Sequence, residues 1–174
     1  AFSERHYNAS FGEIANCATE AETMATMLEG RLSDLKRNFT VSTPIDVLAI
    51  FGTPHSFYAF MPESYLGDLV KHAGGRMGPE GLTSHKIYRG LAPLTMETVI
   101  EFDPDLLLVL FHGPEETSRA MFERDPLWAS LRAVHEGRIE FLSDDMYAMR
   151  PGSQVDVAME QIRGHVQRVA NADQ

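Results

Sequence analysis

The chain has 174 residues, 44% of them hydrophobic, and 25 acidic against 15 basic side chains, for a formal net charge of −10. That is about one domain's length with enough apolar content for a core, and the acidic balance argues against nucleic acid or an anionic membrane surface as the main partner. A single cysteine, Cys17, excludes an internal disulfide and a multi-cysteine metal site.

Taken in chain order, residues 1–10 read as irregular. From Phe11 onward, Ile14, Ala18, Ala21, Ala25, Leu28, Leu32 and Leu35 recur every three or four positions and mark one face of a helix. With Gly30 its main breaker, it would run for about 27 residues, or ~40 Å. Helices average roughly 11–12 residues, so one this long braces or connects something. Cys17 falls within it as a small apolar side chain. Residues 38–44 are turn material. Ile45 to Phe51, interrupted only by Asp46, is a buried parallel strand, and residues 52–55 leave it as a loop. Ser64 caps a helix through Ala73, which Gly74-Gly75 stops. Residues 76–92 read as irregular.

Thr95 caps a short helix to Phe102, ended by Asp103-Pro104. Leu106 to Phe111 is the second buried strand and Glu115 to Phe122 the next helix. Residues 125–131 form a helical turn that presents Trp128 to the core. Arg138 to Leu142 is the third strand, residues 144–151 a loop, and Val155 to Val169 a final amphipathic helix. This order predicts an α/β three-layer sandwich with a mostly parallel sheet, preceded by one long helix. Two units follow: residues 1–40, a short segment plus the helix, and residues 41–174, the lobe. No stretch approaches the ~20 apolar residues of a membrane span. The start, Ala1-Phe2-Ser3, lacks the basic-then-apolar pattern of a signal peptide, so the chain reads as cytoplasmic or as a processed piece of something longer.

Three loops follow the three strands and gather on one sheet edge, where ligands sit in open α/β sheets. They hold His55, Tyr58 and Met61, then His112, then Met146, Tyr147, Met149 and Arg150. Histidine, tyrosine and methionine are the side chains that bind haem iron axially, and the planar fork of Arg150 suits a carboxylate such as a propionate. Plainer roles compete: a hydrogen-bonded loop histidine, half-buried tyrosines, methionines as core filler. Nucleophile-elbow, phosphate-loop, dinucleotide and His-Glu-x-x-His patterns are all missing. Asp144-Asp145 reads as a solvated loop, and His85, His135 and His165 as surface groups.

Ser64-Tyr65-Leu66-Gly67-Asp68-Leu69-Val70 with Ala73-Gly74-Gly75, then Leu94-Thr95-Met96-Glu97 with Asp103-Pro104-Asp105, then Asp125-Pro126-Leu127-Trp128 with Leu131, Ala133-Val134 and Gly137-Arg138 resemble, in order and spacing, the single-helix-hinge substrate-binding proteins of metal-chelate ABC importers. The likeness covers the second half of such a protein: residues 11–37 resemble the connecting helix and residues 44–170 the carboxyl-terminal lobe.

The resemblance implies a non-enzymatic, extracytoplasmic receptor, periplasmic or a surface lipoprotein, that passes haem or a ferric chelate to a membrane permease. It places Glu97 at the carboxylate that pairs with an arginine pocket on the permease. His112, in Phe111-His112-Gly113-Pro114, takes the place of the iron-ligating histidine of haem receptors. Tyr58, Met61 and Tyr147 would line the porphyrin, and Arg150 would hold a propionate. A ferric siderophore or cobalamin is the alternative ligand; a metallocluster enzyme lobe, short of cysteines, and a protein-interaction domain are the rivals. The family's amino-terminal lobe and lipid-attachment cysteine have no counterpart in the sequence, so the second axial ligand would come from elsewhere, or a homodimer would share the iron.

Overall fold

In a computed structural model that describes residues 44–111, 115–149 and 154–172, together with Thr19, Glu22, Thr23, Thr26, Met27, Gly30, Ser33 and Asp34, the apolar runs become neighbouring strands. β1 (Ile45–Thr53) lies parallel to β5 (Leu106–Leu110), and β5 parallel to β6 (Ile139–Leu142). Because successive strand side chains point to opposite faces, runs this apolar need cover on both. Ile45, Val47, Ala49, Leu106, Leu108 and Leu110 meet α1 (Tyr65–His72) and α6 (Val155–Ala172). Leu48, Ile50, Leu107, Val109 and Ile139 meet the other helices: α2 (Met96–Phe102), α3 (Glu115–Arg124), α4 (Pro126–Ala129) and α5 (Arg132–His135). The three expected layers are present.

The caps work as their residue types dictate. Ser64 Oγ accepts from the Gly67 amide (3.1 Å), Thr95 Oγ1 from the Thr98 amide (3.3 Å), and Asp125 Oδ1 from the Leu127 amide (2.9 Å). Gly67 also permits a close approach: a Cβ there would stand 2.5 Å from the carbonyl oxygens of both Met61 and Pro62.

The sheet is more mixed than the sequence predicts. Residues 52–55 are not simply a loop out of β1: the strand continues to Thr53, turns at Pro54-His55 and returns antiparallel as β2 (Ser56–Phe60). The stretch expected to be irregular contributes β3 (Gly75–Met77), parallel to β1, and β4 (Leu91–Pro93), antiparallel to β2. The strand order is β4-β2-β1-β5-β6, with β3 beside the start of β1. At Gly52, φ is 131° and a Cβ would meet the Ser56 carbonyl oxygen at 2.2 Å, so the hairpin demands glycine. Residues 145–149, expected as loop, form one π-helical turn. The described positions from 19 to 34 are helical and exposed, and Thr23 Oγ1 donates to the Thr19 carbonyl (2.8 Å). The rest of the expected long helix, Cys17 included, lies outside the described residues.

Ion pairs close the two ends of the lobe. At the amino edge of β1, Arg76 grips the Asp46 carboxylate with Nε (2.6 Å) and Nη2 (2.8 Å), which explains the one charge in that strand. On edge strand β6, Glu140 faces His165 (3.3 Å) and Arg168 of α6, so His165 is a partly covered partner and not a free surface group. Burial pushes the Glu140 carboxyl up, but the hydrogen bond from His165, the charges of His165 and Arg168, and the Arg168 hydrogen bond together outweigh it, leaving it below its ordinary value. A depressed carboxylate stabilises the fold above its unfolded pKa, and that contribution is lost as pH falls through the folded value. Glu140→Gln is therefore expected to cost about 1 kcal/mol at pH 7, with the gap to the wild type closing below pH ~4. Urea unfolding at several pH values checks this; a gap independent of pH would refute it.

Candidate functional site

β1, β5 and β6 are parallel, so their carboxyl ends share one edge of the sheet. Just beyond β5 and β6, on the side covered by α3, lies a cavity of about 390 Å³ lined by Val109, Phe111, Glu115, Ser118, Phe141, Leu142, Ser143 and Asp144. Its floor is apolar and its rim polar: Ser143 and Glu115 are exposed, Asp144 is half-buried and Ser118 is buried. Arg119, one helical turn after Glu115, spans the rim. Its Nη2 lies 3.1 Å from Glu115 Oε1, and its guanidinium sits 4.8 Å above the Phe141 ring.

Sequence reasoning missed this cavity. Asp144, expected as solvated loop, is one of its walls. Strand-end position was the signal that could have found Phe111, Ser143 and Asp144. Glu115 and Ser118 become visible only once α3 is docked.

The expected site residues scatter. His112 and Arg150 lie outside the described residues, but the described flanks of His112, namely Phe111 and Glu115, are both cavity walls. His55 is at the same sheet edge, in the β1–β2 turn, with Nδ1 3.8 Å from Asp125 Oδ2. Glu97 is exposed in the first turn of α2, which begins just past β4. Because β4 runs antiparallel to β2, and hence in the sense of β1, Glu97 stands at this edge too.

Met61 does not come to it. It follows β2, which runs the other way, and it is buried, its amide donating to the Gly90 carbonyl (2.8 Å). Tyr147 is 2% exposed and packs in the core beneath α6, where its hydroxyl donates to Gln161 Oε1 (2.6 Å).

Tyr58 is half-buried in a ring cluster that the sequence did not reveal. It meets His85 edge-on (centroids 5.6 Å apart) and Tyr88 (6.2 Å), while His85 stacks on Tyr88 at 5.0 Å. His85 Nδ1 accepts the amides of Ile87 (3.2 Å) and Tyr88 (3.1 Å), which puts the proton of the neutral ring on Nε2. That tautomer holds a turn together and is not set up to bind a metal. Among the described residues, no group of three or more His, Cys, Asp or Glu side chains is placed to hold a metal ion, and no helix is long and apolar enough to cross a membrane.

A sheet covered on both faces, with an open cavity where its parallel strands end, is the architecture of an α/β ligand-binding lobe. The chain belongs to the periplasmic binding protein family, whose profile matches residues 9–146. It is 30% identical over 120 residues to the high-affinity heme uptake system protein IsdE of Staphylococcus aureus (strain MRSA252), a match that takes in 67% of this chain and 39% of that protein.

Three solved structures share its fold. One is an ABC transporter substrate-binding protein from Listeria monocytogenes EGD-e (TM-score 0.78, 22% identity, 93% of this chain and 62% of that one). Another is Staphylococcus aureus IsdE complexed with heme (0.71, 23%, 93% and 63%). The third is the periplasmic heme-binding protein RhuT from Roseiflexus sp. RS-1 in apo form (0.77, 21%, 95% and 62%). The chain thus spans about two-fifths of the curated relative's length and under two-thirds of each of these structures.

Proposed function

We propose that this chain is the ligand-receiving lobe, residues 41–174, with its connecting helix, residues 1–40, of an extracytoplasmic substrate-binding protein. It takes up haem or a related ferric chelate, hands it to the permease of an ABC importer and carries out no chemistry itself. One juxtaposition carries this reading: the chain is 30% identical to a haem uptake protein over 120 residues, and the walls of its strand-end cavity, Phe111 and Glu115, bracket His112. His112 binds iron through a neutral imidazole nitrogen, so affinity falls as acid protonates the ring. Arg150 holds a propionate. Exposed Glu97 docks on an arginine pocket of the permease. Buried Met61 and Tyr147 serve packing, and Tyr58 belongs to the His85–Tyr88 cluster.

Titration of the purified chain with hemin, followed at the Soret band, tests this. The wild type should show saturable binding with a shifted band, and His112→Ala should lose at least tenfold in affinity together with the shift. Equal behaviour of the two proteins would remove His112 from the site. A second reading, a ferric siderophore receptor, draws on the four polar walls of the cavity; under it, His112→Ala binds a ferric siderophore as the wild type does.

A further inference from the structure

We infer that His85 is an acid-opened latch on the turn that leads into edge strand β4: the neutral ring holds the turn closed, and a second ring proton releases it. This goes beyond the receptor reading and does not depend on it. Nδ1 of His85 accepts the amides of Ile87 (3.2 Å) and Tyr88 (3.1 Å) at once. The His85 amide donates to the Leu91 carbonyl (2.7 Å), and the Leu91 amide donates to the Tyr88 carbonyl (3.1 Å). Gly90, at φ 84°, accepts from the Met61 amide (2.8 Å). Residues 85–91 are thus closed around one imidazole nitrogen, and Leu91 begins β4.

That nitrogen accepts only while it lacks a proton. Protonation turns Nδ1 into a donor facing two other donors, so both hydrogen bonds are lost together. Two bonds of ordinary strength correspond to roughly tenfold or more in the closing equilibrium. Tyr88 stacks on the half-buried imidazole (centroids 5.0 Å apart) and Tyr58 of β2 meets it edge-on (5.6 Å). Phenols carry no charge in acid and aromatic faces tolerate a cation, so the opposition to the proton comes from the two amides. Lys86 and Arg89, on the same turn, are exposed. Among the described residues, no carboxylate pairs with His85 to hold a charged ring inside the closed turn. The latch governs the flank of the lobe that carries Glu97. β4 is three residues long, lies at the edge of the sheet, and runs through Leu94 into the Thr95 cap of α2.

The test uses the whole purified chain and amide hydrogen exchange read residue by residue by NMR at pH 8 and pH 5. Each rate is set against that of an open amide at the same pH. Leu107, whose amide donates to the Arg138 carbonyl (3.0 Å), reports global unfolding. In the wild type, protection of Ile87 and Tyr88 should fall at least about tenfold between pH 8 and pH 5 while that of Leu107 holds. His85→Asn keeps an acceptor oxygen able to reach nearby amides and cannot titrate, so its protection should change by less than about threefold. His85→Ala should leave both amides unprotected at either pH. Equal wild-type protection at the two pH values, a parallel fall at Leu107, or an equally large loss in His85→Asn overturns the latch. Should asparagine fail to close the turn at pH 8, the wild type decides alone. Its loss of protection must then follow the titration of His85, read from the nitrogen shifts of its own ring, and a loss that follows any other group overturns the latch.

Discussion

Replacing Trp128 by alanine is expected to lower the unfolding free energy by about 3–5 kcal/mol. The side chain is fully buried. It meets Phe57 edge-on at 5.0 Å and Phe122 at 4.8 Å, and its Nε1–H donates to the Pro54 carbonyl at 3.1 Å. Deletion would remove a large apolar surface, leave a cavity between α3 and the sheet, and orphan a buried carbonyl, which itself costs roughly 1–3 kcal/mol.

Trp128→Phe separates these effects, since the ring contacts survive in part while the donor is lost; about 1–2 kcal/mol is expected. Trp128 is the only tryptophan, so urea unfolding must be followed by far-UV circular dichroism and not by indole fluorescence. A loss below about 1.5 kcal/mol for the alanine variant would mean that the layer repacks. Function is touched as well. Pro54 belongs to the β1–β2 turn, and Asp125, which caps the helix of Trp128, also faces His55. Trp128 therefore ties that turn, at the carboxyl edge of the parallel strands, to α4.

The parts of the fold that the sequence disclosed are those where one residue type has one physical use. Leu106 to Leu110 is apolar at every position because it is covered on both faces, and Ser64 and Thr95 are caps because their oxygens reach orphan amides. What it concealed were strands made by their neighbours. β3 and β4 are three residues each, too short for any period to register, and they exist because β1 and β2 offer them unpaired backbone. β2 had a local signal in its aromatic run Phe57, Tyr58 and Phe60, but its turn, Pro54-His55, lacks the Asn-Gly or Asp-Gly pair that announces a tight hairpin.

That single omission misplaced Met61: with β2 read as loop, Met61 joins the strand-end residues, whereas a returning strand carries it to the opposite edge. Tyr147 was misjudged for a related reason. Residues 145–149 form a π-helical turn instead of an open loop, and the turn points the ring inward beneath α6. Strand-end logic pointed to the edge of the sheet where this cavity lies, but the cavity's own walls, Glu115 and Ser118 from α3, depend on helix docking that no local pattern encodes.

The burial of Tyr147 leads to the second large effect, one that appears only in alkali. Desolvation pushes its phenol from the ordinary 10 up to about 12, because no charged form is stabilised beneath α6. A proton held more tightly in the folded state stabilises fully below the unfolded value, so nothing changes up to pH 10. From there the unfolded chain ionises first and stability drains away until the folded phenol also titrates near 12. Two pKa units correspond to roughly 2–3 kcal/mol.

Tyr147→Phe cannot ionise and lacks this loss. At pH 7 it gives up the hydrogen bond to Gln161 (2.6 Å) and should be about 1 kcal/mol less stable than the wild type. The two stability curves should then cross near pH 11, with the variant the more stable above it. Other tyrosines and the lysines titrate in both proteins alike, so the difference between the curves isolates position 147. Urea unfolding at intervals from pH 7 to 12 measures it. Parallel curves would mean that the phenol ionises as readily folded as unfolded, and that the ring beneath α6 is open to water. A crossing would establish that the Tyr147 phenol stays buried and un-ionised in the folded lobe, as its packing beneath α6 requires.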